Sequence, residues 1–62
     1  MPFIRIDIAS KLTKDQKALL SQRMTDAIVE IAGAPRQATY VIINELERDD
    51  IAQAGTLLSD RG

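Results

Sequence analysis

Ala38-Thr39-Tyr40-Val41-Ile42-Ile43-Asn44-Glu45-Leu46 has an almost continuous apolar centre. Such a run suits a strand covered on both faces, as in a parallel sheet. The other strand-like stretch, Phe3-Ile4-Arg5-Ile6-Asp7-Ile8, alternates instead. Ile4, Ile6 and Ile8 fall on one side and Phe3, Arg5 and Asp7 on the other, which predicts a half-buried strand over residues 3–9. Ser10-Lys11-Leu12 make a short connection from it.

Between the two lies a helix with marked ends. Thr13-Lys14-Asp15-Gln16 reads as a capping box, in which hydroxyl and amide side chains satisfy each other's backbone N–H groups. Asp15 suits the positive end of the helix dipole. Leu20, Met24, Ala27, Ile28 and Ile31 recur at three- and four-residue steps as one apolar stripe, with Lys14, Lys17, Arg23, Asp26 and Glu30 mainly outside it. Gly33 is a natural residue just past a helix and Pro35 prevents continuation, so the helix is placed at 14–32.

Strand, helix and strand in this order make a right-handed β-α-β unit. Glu47-Arg48-Asp49-Asp50 is a polar turn, and Ile51 through Leu58 form a short helical turn or a hairpin around Gly55. The fold class is therefore α+β, a β-α-β protomer with a short C-terminal hairpin or turn. One helix over two strands leaves both sheet edges open, and the second strand is too apolar to face water. Both features call for a homo-oligomer.

At 62 residues the chain makes a single domain, 1–62, near the lower limit for independent folding. With 45% hydrophobic residues it is not a disordered chain, and with no cysteine it has neither a disulfide nor a thiolate site to staple it. Eight basic against nine acidic residues, scattered in sequence, and only Phe3 and Tyr40 as aromatics argue against a nucleic-acid partner. Neither a signal peptide nor a membrane-length apolar run is present, so no membrane association and a cytoplasmic location are expected. No metal site or cofactor is expected. Asp49-Asp50, without a histidine nearby, reads as a solvated turn.

Pro2 stands directly behind Met1. Methionine is normally trimmed before a small residue, and trimming here would leave a secondary amine at the start of the first strand. With Met1 attached, the same nitrogen is a tertiary amide without basicity. A free α-amino group titrates at about 7.7–8.0, and an apolar pocket or nearby cations disfavour its protonated form. Such an amine can act as a general base near neutral pH, or as a nucleophile towards carbonyls.

Pro2, Ile6, Ile8, Asp15-Gln16-Lys17, Ala34-Pro35 and Val41-Ile42-Ile43-Asn44-Glu45, in this order and spacing, resemble the 4-oxalocrotonate tautomerase family. The match runs over residues 2–46 without a gap. The resemblance implies that two protomers pair into a four-stranded sheet with helices on one face, usually within a hexamer built as a trimer of dimers. It also implies that Pro2 is the catalytic base of a tautomerase or isomerase, moving a proton on a small-molecule keto or enol acid.

The chain departs from that family at the positions that hold substrate. The best-known members carry arginines where this chain has Leu12 and Tyr40, and an aromatic wall where it has Ile51. These changes point away from a dicarboxylate and towards a monocarboxylate. Tyr40 could donate its phenolic proton to a carbonyl or enolate oxygen, or serve as an interfacial aromatic. Lys11 and Arg36 are the cations that could meet a carboxylate, Arg36 by projecting into a neighbour's pocket; the plainer reading of each is a solvated side chain. An ion pair on the strand face is expected to occupy Arg5, and Glu45 reads as structural. A hydratase or dehalogenase of unsaturated acids, or a non-catalytic oligomeric scaffold, are the alternative functions.

Overall fold

Two six-residue strands, Phe3–Ile8 (β1) and Tyr40–Glu45 (β2), pair in parallel in the computed structural model, which describes residues 1–61. Phe3 lies opposite Tyr40 and Ile8 opposite Glu45. The pairing extends one step beyond each end, through Tyr40 N–H to the Pro2 carbonyl (2.9 Å) and Leu46 N–H to the Ile8 carbonyl (2.8 Å).

The crossover helix Lys14–Ala32 (α1) has the bounds that its end signals predict. Gln16 N–H donates to the Thr13 hydroxyl (3.1 Å), and Thr13 N–H donates back to the Gln16 side-chain oxygen (2.9 Å). At the other end Gly33 takes a left-handed conformation (φ 67°), which lets N–H groups fold back onto the Ile28 and Val29 carbonyls. Glycine adopts this φ without the Cβ clash that any other residue meets.

α1 covers one face of the sheet. Ile4, Ile6, Ile8, Val41 and Ile43 are half-buried beneath it, as alternation predicts for β1. β2 differs from expectation, because only one of its faces is covered within the chain: Tyr40 is 47% and Ile42 38% exposed. A single helix cannot shield both sides. β2 also starts later than its sequence suggests. Arg36–Ala38 form a 3₁₀ turn instead, closed by Ala38 N–H to the Pro35 carbonyl (3.1 Å) and by the Thr39 hydroxyl to the same carbonyl (2.8 Å).

The helix stripe needs two corrections. Ile31, expected among the covered residues, is 84% exposed. Lys17, expected outside the stripe, is half-buried on the sheet side, where it finds a carboxylate. The tail resolves into a hairpin, Ala52–Gln53 (β3) with Thr56–Leu57 (β4), pairing antiparallel. Its two turn residues, Ala54 (φ 54°) and Gly55 (φ 82°), both have positive φ, the requirement of the tight turn that matches strand twist.

Among the described residues none is fully buried. The accessible surface is 4847 Å², against about 4,000 Å² for a compact monomer of this mass. The radius of gyration is 14.8 Å, where about 11 Å is usual for this length. The chain is thus a thin layer with a hairpin arm rather than a body around a core.

Alanine at the first hairpin position carries a left-handed penalty that asparagine largely avoids. Ala54→Asn should therefore raise stability by roughly 0.5–1 kcal/mol without altering the fold. Thermal denaturation at fixed protein concentration checks this, and an unchanged or lower midpoint would contradict it.

Candidate active site

Parallel strands begin at the same edge of the sheet, and this sorts the candidate residues into two groups. Pro2 precedes β1 and Tyr40 opens β2, so they are neighbours. The hydrogen bond from Tyr40 N–H clamps the Pro2 carbonyl, and Met1 before it is exposed. The Tyr40 ring stacks on Phe3, with centroids 5.3 Å apart and planes 20° from parallel, on the face away from α1. Arg36 sits at this end too, in the turn that leads into β2, and its guanidinium pairs with Asp26 of α1.

Leu12 and Ile51 belong to the other end. Six strand residues separate Pro2 from the connection that carries Leu12, a span of roughly 20 Å at about 3.3 Å per residue. Ile51 follows the 3₁₀ turn Arg48–Asp50 beyond the end of β2. Both side chains are half-buried. Lys11 is here as well, 3.6 Å from Glu47, with both groups largely in water. The protomer therefore brings Pro2, Tyr40 and Arg36 together, and separately Lys11, Leu12 and Ile51, but does not join the two groups.

Glu45 gains a definite structural part. One carboxylate oxygen accepts from Leu12 N–H (2.6 Å) and the other meets Lys17 Nζ (2.5 Å). The Lys17 hydrogen bond first, and the Leu12 N–H second, hold the carboxyl below its ordinary value of 4.5, overcoming the opposing effect of partial burial. The sequence carries a signal for this that composition hides. Glu45 lies on the same strand face as Val41 and Ile43, and Lys17 precedes Leu20 on the covered side of α1.

Among the described residues, Arg5 does not make the expected ion pair. Asp7 instead accepts from the Asn44 amide across the sheet (2.9 Å), since the parallel register sets Asn44 directly opposite Asp7 and Ile42 opposite Arg5. Among the described residues, no group of three or more His, Cys, Asp or Glu side chains is placed to hold a metal ion. Nor is any helix long and apolar enough to cross a membrane.

The sequence model of a family described as "Tautomerase enzyme" matches residues 2–61. The chain belongs to the tautomerase family. A probable tautomerase of Streptococcus pneumoniae is 46% identical over 46 residues, covering 74% of this chain and 77% of that protein. The 2-hydroxymuconate tautomerase of Bacillus subtilis is 35% identical over 60 residues, or 97% of each chain. Among solved structures, YwhB, a homologue of 4-oxalocrotonate tautomerase, superposes with a TM-score of 0.89 at 33% identity, covering 98% of this chain and all of that one. TomN, a homologue from the tomaymycin biosynthetic pathway, superposes with a TM-score of 0.83 at 27% identity over 97% and 92% of the two chains. The β-α-β tautomerase fold expected from the sequence is the fold of this chain.

The depressed Glu45 value has a pH consequence of definite sign. A carboxyl more acidic in the folded than in the unfolded state stabilises the fold at pH above its unfolded value, and that contribution fades as pH falls through the folded value. The stability gap between the parent and Glu45→Gln should accordingly be widest near neutrality and narrow below pH 4.5. Denaturant titrations at several pH values measure it; a gap that widens on acidification would contradict the assignment.

Proposed function

We propose that this tautomerase-family member is a keto–enol isomerase whose base is Pro2, freed by removal of Met1. The observation that carries the reading is the backbone clamp at the start of the sheet. Tyr40 N–H holds the Pro2 carbonyl at 2.9 Å, which anchors this half-buried residue at the start of the sheet beside the exposed Met1. Once Met1 is gone, a neutral Pro2 amine takes the proton from the enol hydroxyl and returns it to the carbon. No proton is gained or lost overall.

The substrate is a small 2-keto or enol acid with one carboxylate. Arg36 stands in the turn that leads into β2 at the Pro2 end, and its pair with Asp26 is about half exposed on both sides. Exposed pairs of this kind contribute only about 0–1 kcal/mol, so a substrate carboxylate can take the place of Asp26 at little cost. Tyr40 supplies a phenolic donor to the developing oxyanion. Leu12 and Ile51 wall the pocket as apolar side chains.

These walls stand at the far end of the protomer, so the complete site forms between copies of the chain. The homo-oligomer we propose is a hexamer, a trimer of dimers. The unusually large accessible surface of the single chain and the lack of any fully buried residue among those described support assembly. Sedimentation velocity over a dilution series should show loss of the assembly and of helical structure together; a folded monomer would refute the obligate oligomer.

Catalysis is tested by the ketonisation of phenylenolpyruvate across pH, comparing Met1-free protein with the same protein after its amine is blocked. Turnover is expected only with the free amine, with a rising limb near neutral pH. Equal turnover by both forms would remove Pro2 from the role of base.

A further inference from the structure

We propose that Glu45 is a positioning residue for substrate binding, acting through Leu12. This rests on the reading above, in which Leu12 walls the site of an adjoining copy. One carboxylate ties three elements together. Glu45 is the last residue of β2 and lies opposite Ile8; its oxygens hold Leu12 N–H at 2.6 Å and Lys17 Nζ, in the first turns of α1, at 2.5 Å. The connection from β1 to α1 lacks regular structure between Ile8 and Thr13, apart from a bend. Its far end is fixed by the capping box and its near end by the sheet. The Glu45 side chain holds Leu12, the last residue before the cap.

Removing that hold leaves the strand register and the helix cap with their own hydrogen bonds, while Leu12 is freed to move. The charge on the acceptor makes the tether strong, and the ammonium of Lys17 keeps the carboxylate aimed. Leu12 is an apolar side chain with no proton to give or take, so the effect falls on binding and not on the proton transfer itself.

The test separates KM from kcat for phenylenolpyruvate in Glu45→Ala, Glu45→Asp and Glu45→Gln. Glu45→Ala should raise KM on the order of tenfold, the scale of a lost hydrogen bond to a charged acceptor, with kcat and its pH limb little changed. Glu45→Asp keeps the charge but shortens the reach, and should behave similarly if Glu45→Ala fails to fold. Glu45→Gln keeps an acceptor for Leu12 N–H but neither its charge nor its pair with Lys17, and should recover only part of the affinity. In a Leu12→Ala background the effect of Glu45→Ala should vanish, because both act through one contact.

An unchanged KM in Glu45→Ala, or strictly additive effects with Leu12→Ala, would overturn the proposal while leaving Pro2 as base. Should the free-amine protein show no turnover, calorimetric binding of phenylpyruvate decides: weaker binding by Glu45→Ala supports the positioning role although the base has failed. Equal binding, or none by either protein, overturns it.

Discussion

The parallel register of β1 and β2 is the constraint on which the functional architecture depends. It makes both strands start beside Pro2 and finish beside the connection that carries Leu12. A parallel pair needs a crossover, and α1 supplies one that returns the chain along the full length of the sheet. Pro2 and the half-buried Leu12 and Ile51 are thereby held at opposite ends of the same protomer. Antiparallel pairing would have brought one strand's start to the other's end. The site proposed above therefore has to be assembled by setting one protomer's start against another's finish, which would tie catalysis to assembly.

The energetics lead to the same place. α1 half-buries the isoleucines and valines of one sheet face, yet Phe3, Tyr40 and Ile42 remain in the open on the other. On the α1 side a groove of 290 Å³ runs between helix and sheet, lined by Ile4, Met24, Ala27, Ile28, Ile31 and Ala32. These apolar surfaces lie on opposite sides of the sheet. A single two-fold interface buries one self-complementary patch, so covering both requires two kinds of contact. The proposed trimer of dimers has two, whereas a simple dimer would leave one surface wet.

Much of this was legible in the sequence, and the reasons are local. Capping-box chemistry at Thr13 and Gln16 and the left-handed glycine at position 33 are signals within a few residues, and they fixed both ends of α1. Alternation in β1 gave its covered face. What the sequence hid depends on long-range contacts. Ile31 belongs to the apolar stripe by spacing, but it is 84% exposed. Lys17 looks like a solvent lysine until Glu45 arrives from 28 positions further along the chain. The late start of β2 came from the Thr39 hydroxyl and two backbone bonds closing a turn that the apolar pattern does not register. For the site, Pro2 and Tyr40 were placed together by register, but their separation from Leu12 and Ile51 required the topology.

Charge accounting then bears on what such a site accepts. At the Leu12 end both nearby lysines are engaged: Lys11 with Glu47, loosely and in water, and Lys17 with Glu45 through a short, half-buried contact. Drawing Lys17 away would leave the Glu45 carboxylate without its strongest partner, so that cation is not available to a ligand. Arg36, at the Pro2 end, is held only by an exposed pair. The protein therefore offers a replaceable counter-ion at one end of the proposed site and apolar side chains at the other. A second carboxylate brought against Leu12 and Ile51 would shed its water against apolar side chains and meet only Lys11, a strongly hydrated ammonium at the rim. The proposed site would accordingly favour substrates with a carboxylate at one end and carbon at the other.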